Sequence, residues 1–187
     1  MNFQEALTEK KSRIVPQWIE AVMATYPADG ASFFLKQKDR FANPLGFAAK
    51  TGLTDVFDQL TGEQPSHSIP PELRQFVKLR SVQNFSPSAA LGFVYLLKTI
   101  VVEQLGPKNV AEMGAEWVAF EAKIDALALS LFDLYTEDRE LLSRVKIDEY
   151  KRGNHVMAEG RCPSSMVVNN QEEKIELKVI RDSVPLT

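Results

Sequence analysis

The sequence has few of the residues that most often carry chemistry. Its 187 residues include one cysteine, Cys162, and two histidines, His67 and His155. A single cysteine excludes a disulfide within the chain and is typical of a reducing compartment. Both histidines lie in segments rich in Ser, Pro or Gly, without the Gly-x-Ser-x-Gly context of a nucleophile. The sequence also has no Cys-x-x-Cys pair, no histidine cluster at metal-ligand spacing and no Gly-rich phosphate loop. We therefore expect a protein that is not an enzyme and needs no metal or cofactor.

Long apolar runs and a one-sided charge are absent as well. No run reaches the roughly 18 apolar residues of a membrane-spanning helix. The opening segment, MNFQEALTEKKSR, carries charges where a signal peptide needs its apolar centre. The net charge of −3 comes from intermixed signs without a long basic run, which argues against nucleic acid as a partner. These absences predict a cytoplasmic protein that neither inserts into a membrane nor binds nucleic acid.

Helical periodicity and helix-start signals run through most of the chain. An Asn or Ser side chain can accept hydrogen bonds from the free amides of a first helical turn, and a proline there has no amide hydrogen to lose. Such signals stand at Asn43–Pro44, Pro71 and Ser86–Pro87. Helix ends are predicted at Gly62 and at Gly106–Pro107. Two further helices are expected, one from Phe3 to Tyr26 that is kinked or divided at Pro16, and a short one from Phe33 to Lys38.

The helix predicted from Ser86 to Leu105 has almost no polar face. No charged residue occurs between Ala89 and Leu97, and Lys98 and Glu103 are the only charges in the rest of the segment. Such a helix must be surrounded by other apolar groups. Because no membrane span is expected, the surroundings must be the protein's own helices or a second copy. Lys98 is expected either to extend to the edge of the apolar region or to pair with a carboxylate.

The longest predicted helix runs from about Asn109 to Asn154. Its apolar residues alternate spacings of three and four, interrupted only at Asp138, and this pattern predicts a seam for another helix. The seam residues are Trp117, Phe120, Ile124, Leu127, Leu131, Leu134, Leu141 and Val145. The part after Thr136 is charged and is expected to project from the bundle. A parallel second copy is the expected partner of the seam, because two-fold dimers are the commonest oligomers.

The composition changes after Gly153. We therefore divide the chain into a helical domain, residues 1–154, and a tail, residues 155–187. Ile175, Leu177 and Val179 alternate with other residues near the end of the chain. The tail is accordingly either a small β-hairpin or a segment without regular structure, and the sequence leaves both alternatives open.

Three segments, Tyr26–Phe47, Leu79–Lys98 and Ile124–Glu140, carry a family resemblance. The first contains Asp39-x-Phe-x-Asn-Pro, and the second contains Gln83-x-Phe-Ser-Pro. With these segments the chain resembles the N-terminal domains of the RsbT co-antagonists of the RsbR and RsbRD type, over most of its first 150 residues. The residues that match the motifs are Asp39, Phe41, Asn43, Pro44, Gln83, Phe85, Ser86 and Pro87.

The resemblance implies an all-α, non-haem, globin-like helical bundle with a long C-terminal helix. It also implies a cytoplasmic sensory domain of stress signalling that forms homodimers and sends a signal down that helix. The residues argue independently against haem, because neither His67 nor His155 is predicted on a helix that faces a pocket. In multi-domain members of the family the helix leads into a STAS domain, for which residues 155–187 are too few.

We therefore predict a non-catalytic sensory or regulatory module that dimerises and transmits a binding signal through its C-terminal helix. A protein partner is expected, and a small-molecule ligand is compatible with this function. One alternative is a stand-alone adaptor whose tail docks on a larger complex, for example a redox or membrane complex. Another is a carrier of an apolar ligand, held in a cavity lined by Phe93, Leu96 and Leu97.

Overall fold

A computed structural model describes residues 2–37, 39–62, 68–83 and 85–158 of the chain, with side chains up to residue 153. These residues form eight α-helices and no β-strand. The helices are α1 (Phe3–Met23), α2 (Ala28–Lys36), α3 (Pro44–Thr61), α4 (Pro71–Ser81), α5 (Pro87–Leu91), α6 (Phe93–Leu105), α7 (Pro107–Glu112) and α8 (Gly114–Ala158). The predicted all-α fold with a long C-terminal helix is confirmed for this part of the chain. The globin-like arrangement stays a prediction, and the predicted hairpin lies outside the described residues.

The chain divides into two compact units, Met1–Leu142 and Ser143–Thr187. The first unit contains the hydrophobic core. Of the second unit, the structure describes the end of α8, where residues 143–153 are exposed. The predicted end of this helix near residue 154 is too early, because a glycine such as Gly153 costs a helix only about 1 kcal/mol. His155 therefore lies on α8 and not in the tail, whereas His67 lies outside the described residues.

The predicted helix-start signals act as caps. Asn43 Oδ1 accepts a hydrogen bond from the Gly46 amide at 2.8 Å, and Ser86 Oγ accepts one from the Ala89 amide at 3.3 Å. Prolines occupy the first positions of α3, α4 and α5, at Pro44, Pro71 and Pro87. A proline at such a position loses no helical hydrogen bond and has the backbone φ angle that a helix needs.

Four predicted helices differ from those in the structure. The first is a single helix through Pro16, one of the two predicted alternatives, but it ends at Met23, three residues before its predicted end. Buried side chains on both sides of the proline hold it against the core. The short second helix begins at Ala28, five residues before its predicted start. The apolar helix from Ser86 is divided at Gly92, a weak helix former, into α5 and α6. The longest helix is divided at Met113 into α7 and α8.

The core of the first unit is built from α1, α3, α4, α6 and one face of α8. Trp18 is fully buried there, and its indole Nε1 donates to the Phe93 carbonyl at 2.8 Å. The apolar α5–α6 segment is thus surrounded largely by helices of its own subunit. Phe93 and Leu97 belong to this core and Leu96 packs against it, an arrangement that does not favour the apolar-ligand carrier.

The backbones of α3 and α4 approach each other closely at Gly52. A Cβ atom built on Gly52 would lie 2.6 Å from Leu73 Cα and 2.9 Å from the carbonyl carbon of Glu72. Both of these are backbone atoms, which cannot move aside as a flexible side chain can. This close approach therefore requires a residue without a side chain at Gly52.

We expect the Gly52→Ala substitution to destabilise the protein by about 1–3 kcal/mol, because the added methyl group forces the backbones of α3 and α4 apart. The free energy of unfolding in urea measures this loss. Gly30→Ala is the matched control, because its Cβ would meet only Phe34 Cε2 at 3.6 Å inside α2, and it should gain up to about 1 kcal/mol. Equal losses in the two variants would contradict a constraint at Gly52.

Candidate functional site at Arg80

Arg80 lies on the buried face of α4. It follows Leu73, Phe76 and Val77 at the spacing of one helical stripe, and its side chain is 0% exposed. Arginine is almost never fully buried unless it is paired with an opposite charge. A fully buried arginine on an apolar helix face is therefore the most unusual feature of the described structure.

Four aromatic rings surround the guanidinium group of Arg80. The distances from its Cζ atom to the ring centroids are 4.5 Å for Phe85, 5.2 Å for Tyr26, 5.4 Å for Phe76 and 5.8 Å for Phe93. Phe76 and Phe93 are buried and form the inner side, whereas Tyr26 and Phe85 are half-buried and form the outer side. The negative faces of such rings attract a cation within about 6 Å. We refer to these four rings as the Arg80 cage.

The hydrogen bonds of Arg80 use only one of its three nitrogens. Nη2 donates to Thr25 Oγ1 at 3.1 Å and to the Ala89 carbonyl at 3.0 Å. Nε and Nη1 are buried without a hydrogen-bond partner. Arg80 also forms no ion pair with any carboxylate of the described residues. The site thus combines a buried positive charge with unused donors, and both carry a desolvation cost.

Burial changes the ionisation of two groups in the cage. Desolvation lowers the pKa of Arg80, an effect that the nearby Tyr26 side chain partly opposes. Desolvation also raises the pKa of Tyr26, which the charge of Arg80 partly offsets. Because arginine is not deprotonated in proteins and burial favours the neutral form of tyrosine, Arg80 is a cation and Tyr26 is neutral at physiological pH.

The second family motif borders the cage. Gln83 Oε1 accepts a hydrogen bond from the Tyr26 hydroxyl at 3.2 Å. Phe85 provides one of the four rings, and Ser86 and Pro87 begin α5 directly after it. Gln83 and Phe85 therefore hold the outer side of the cage, while the other two motif residues start the helix that contributes the Ala89 carbonyl.

The first family motif fixes the connection between α2 and α3. Asn43 is buried, and its Nδ2 donates to the carbonyls of Phe34 and Gln37, both at 2.9 Å. Asp39 Oδ1 accepts a hydrogen bond from the Phe41 amide at 2.8 Å. The Phe41 side chain itself is 94% exposed. Asp39 and Asn43, with Pro44 at the start of α3, thus fix the backbone of the loop that exposes Phe41.

Tyr26 connects the two motifs. Its ring centroid lies 5.1 Å from that of Phe34 and 5.4 Å from that of Phe85, with both pairs edge to face. Phe34 in turn supplies a carbonyl to the Asn43 side chain. The structure therefore brings the two motifs into one region, although their residues do not form a single pocket.

Two side chains of α8 bind the backbone next to the cage. The Tyr135 hydroxyl donates to the Phe85 carbonyl, and Arg139 Nη1 donates to the Ser81 carbonyl, both at 3.1 Å. Tyr135 and Arg139 belong to the third segment that carries the family resemblance. All three segments therefore meet at the cage or bind directly to it.

The predicted dimer seam lies mostly inside the subunit. Its members differ in exposure: Phe120, Ile124, Leu131 and Leu134 are buried in the core, Trp117 and Leu127 are partly buried against it, and Leu141 and Val145 are exposed. The four buried residues contact their own subunit and are not available to a second copy. The heptad-like spacing marks the face of α8 that packs on the bundle, because intramolecular and intermolecular helix packing use the same periodicity.

The opposite face of α8 carries a second set of apolar residues. Val118, Leu129 and Phe132 are 63%, 68% and 50% exposed. Leu129 and Phe132 border an open groove of about 580 Å³ between α8 and the α5–α6 segment. The groove is also lined by Leu91 and by Tyr95, which is 49% exposed. We call this surface the outer groove.

Lys98 pairs with carboxylates of α8, as one of its two predicted roles requires. Its Nζ lies 2.8 Å from Asp125 Oδ1 and 3.5 Å from Glu121 Oε1. The hydrogen bond to Asp125 is the main reason that the pKa of Lys98 is raised. The ammonium group also lies 5.6 Å from the centroid of the Tyr95 ring, so Lys98 links α6 to α8 beside the outer groove.

The sequence reasoning missed Arg80 and Tyr26 as site residues. A signal for Arg80 was present, because a cation occupies the fourth position of an apolar stripe that contains Leu73, Phe76 and Val77. Tyr26 had a weaker signal. It precedes a proline at a predicted helix end, and that position gives no indication of contacts with both motifs.

Metal binding and membrane spanning gain no support from the described residues. They contain no group of three or more His, Cys, Asp or Glu side chains that could hold a metal ion. Among the described helices, none combines the length and the hydropathy needed to cross a membrane.

We expect Arg80→Lys to be less stable than Arg80→Met by about 2 kcal/mol or more. Lysine keeps the buried charge but loses the planar stacking and the fixed donor geometry of the guanidinium group, whereas methionine removes the charge. Unfolding of both variants in urea measures the difference. A lysine variant as stable as the wild-type protein would contradict a charge held away from water.

Comparison with known proteins places these features in a family. The model of the RsbT co-antagonist protein rsbRD N-terminal domain matches residues 12–149, which is more than half of the chain. Neither the curated proteins nor the solved structures gave a significant match. The matched range contains both motifs, Arg80 and the two α8 side chains that bind beside the cage. The family is one of regulatory sensory domains and is not a known enzyme family. The chain belongs to the RsbT co-antagonist protein rsbRD N-terminal domain family.

Proposed function

We propose that this chain is a non-catalytic sensory module of cytoplasmic stress signalling that forms homodimers and passes a binding signal to a protein partner through α8. The observation that supports this function most is the attachment of α8 to the Arg80 cage. Tyr135 and Arg139 bind the backbone on either side of Gln83 in the sequence, at Phe85 and Ser81. A change in the cage would therefore reach α8 directly.

The proposed signal is a change in the position of α8. A ligand that moved Phe85 would strain or break the hydrogen bond from Tyr135, because a hydrogen bond weakens steeply with distance and angle. A ligand can shift such an equilibrium only if it binds one arrangement more tightly than the other. The Arg80 guanidinium has N–H donors without a partner. A ligand that reaches these donors in only one arrangement of the cage would bind that arrangement more tightly.

We expect Tyr135→Phe to weaken the attachment of α8 to the cage while leaving the fold intact. The loss of the hydrogen bond to the Phe85 carbonyl should lower the free energy of unfolding by about 1 kcal/mol and speed amide exchange in the turn of α8 that contains Arg139. Hydrogen exchange with mass spectrometry measures the second effect. Tyr95→Phe is the control, because that tyrosine is half exposed at the outer groove. Unchanged exchange in Tyr135→Phe would contradict the proposed route.

The outer groove is the proposed dimer interface. Leu129 and Phe132 lie about one turn apart on α8. With Tyr95 of α6 they leave apolar surface exposed along the groove, and such exposed apolar surface often marks an interaction site. A second copy related by a two-fold axis would place the same surface against this one. Such a dimer does not need the seam residues that are buried in the core.

We expect Leu129→Asp to convert the dimer into a folded monomer, because a carboxylate at this exposed position would be desolvated only in the dimer. Light scattering coupled to size-exclusion chromatography at micromolar concentration measures the mass. Phe41→Asp is the matched control, since Phe41 is more exposed than Leu129 but lies in the α2–α3 loop. It should leave the dimer intact. A wild-type protein that is monomeric at this concentration would refute the interface.

A further inference from the structure

We propose that the Arg80 cage binds a small oxyanion, a carboxylate no larger than acetate or an inorganic oxyanion of similar size, at the unpaired nitrogens of the guanidinium group. This inference deepens the proposed sensory function, on which it rests for its biological role, because it names the chemistry of the ligand. The binding itself can be tested separately from dimerisation and from signalling.

The first argument is the count of unused donors. A guanidinium group has five N–H bonds, and the two hydrogen bonds of Arg80 both come from Nη2. The N–H bonds of Nε and Nη1 are buried and unpaired. A buried donor without a partner costs about 1–3 kcal/mol, and more when it belongs to a charged group. An acceptor bound at these nitrogens would remove that cost.

The second argument concerns charge. The four rings of the cage attract the cation through their faces, but none of them carries a negative charge. Arg80 has no carboxylate partner among the described residues, whereas the half-buried Lys98 has two. A water molecule would satisfy a donor and leave the charge uncompensated. An anion would supply both the acceptor and the opposite charge, which is why we favour an oxyanion over water.

The third argument limits the size of the ligand and its route. Arg80 is completely shielded from solvent, and the inner rings of Phe76 and Phe93 are buried as well. Only the outer rings, Tyr26 and Phe85, are half-buried, and Thr25 beside them is exposed. A ligand would therefore enter past Tyr26 and Phe85, and the enclosed site would accept only a small anion.

Anion binding would act on the residues that hold α8. Phe85 provides both the ring nearest to the Arg80 guanidinium and the carbonyl that accepts from Tyr135. An anion entering past this ring would have to displace it. The bond between Phe85 and Tyr135 would then report whether the cage is occupied.

The test uses ¹³C-labelled formate as the ligand and the full chain as the protein. We expect saturable broadening of the formate NMR signal with the wild-type protein and none with Arg80→Met. The melting temperature should rise by about 3 °C at a tenfold excess of formate over its dissociation constant, relative to chloride at equal ionic strength. Nitrate should compete with formate, and benzoate should not, because it is too large for the enclosed site.

Arg40→Met is the matched control. The Arg40 guanidinium also lies over an aromatic ring, 5.0 Å from the centroid of Phe47, but Arg40 is exposed. This variant should keep the full response to formate. Equal responses in Arg80→Met and the wild-type protein would overturn the proposal, because they would place formate elsewhere.

Two further outcomes decide the case if Arg80→Met does not fold. A saturable response of the wild-type protein that nitrate competes away and benzoate does not would support the site. A response that grows linearly with salt, or no response, would overturn it and leave the cage to water. A monomeric wild-type protein would refute the proposed dimer without affecting this measurement, since formate binding is read from the cage in either state.

Discussion

The buried charge of Arg80 is the constraint on which the other features of the first unit depend. A guanidinium group shielded from water needs aromatic faces and acceptors around it, and here they come from four separate parts of the chain. Thr25 and Tyr26 follow α1, Phe76 lies on α4, Phe85 precedes α5 and Ala89 lies on it, and Phe93 begins α6. One side chain thus fixes how the ends of these helices meet. The motif residues Gln83 and Phe85 are arranged around this charge.

Two different faces of α8 are apolar, whereas the sequence analysis predicted one apolar seam. The face with Ile124 and Leu131 completes the core of the subunit, and the face with Leu129 and Phe132 remains exposed beside α6. Packing on one side holds the helix in place, while the bonds from Tyr135 and Arg139 set its position relative to the cage. The exposed side is the surface that the proposed dimer would use.

Three features could be predicted from the sequence: the helix starts, the burial of the α5–α6 segment and the pairing of Lys98. Each depends on neighbouring residues of one segment or on the attraction between opposite charges. Asn43 and Ser86 cap their helices through contacts three residues away. The seam could not be assigned to a partner in this way, because its spacing is the same whether the neighbouring helix belongs to the same subunit or to another. The Arg80 cage combines neighbours within 13 positions with Thr25 and Tyr26, which lie more than 50 positions away in the sequence. Periodicity within one helix cannot detect such contacts.

Two residues of the first family motif differ in exposure, and this difference indicates different roles. Asn43 is buried, and its side chain bonds to α2, to its own loop and to the first turn of α3, so its place in the motif is explained by folding. Phe41 has no such explanation, because an aromatic side chain that is 94% exposed contributes little to the stability of its own subunit. The backbone around it is nevertheless fixed by Asp39. The loop between α2 and α3 thus presents the Phe41 side chain to solvent while Asp39 and Asn43 hold its backbone. The two motifs therefore differ, because the first exposes an aromatic side chain and the second places one against a buried charge.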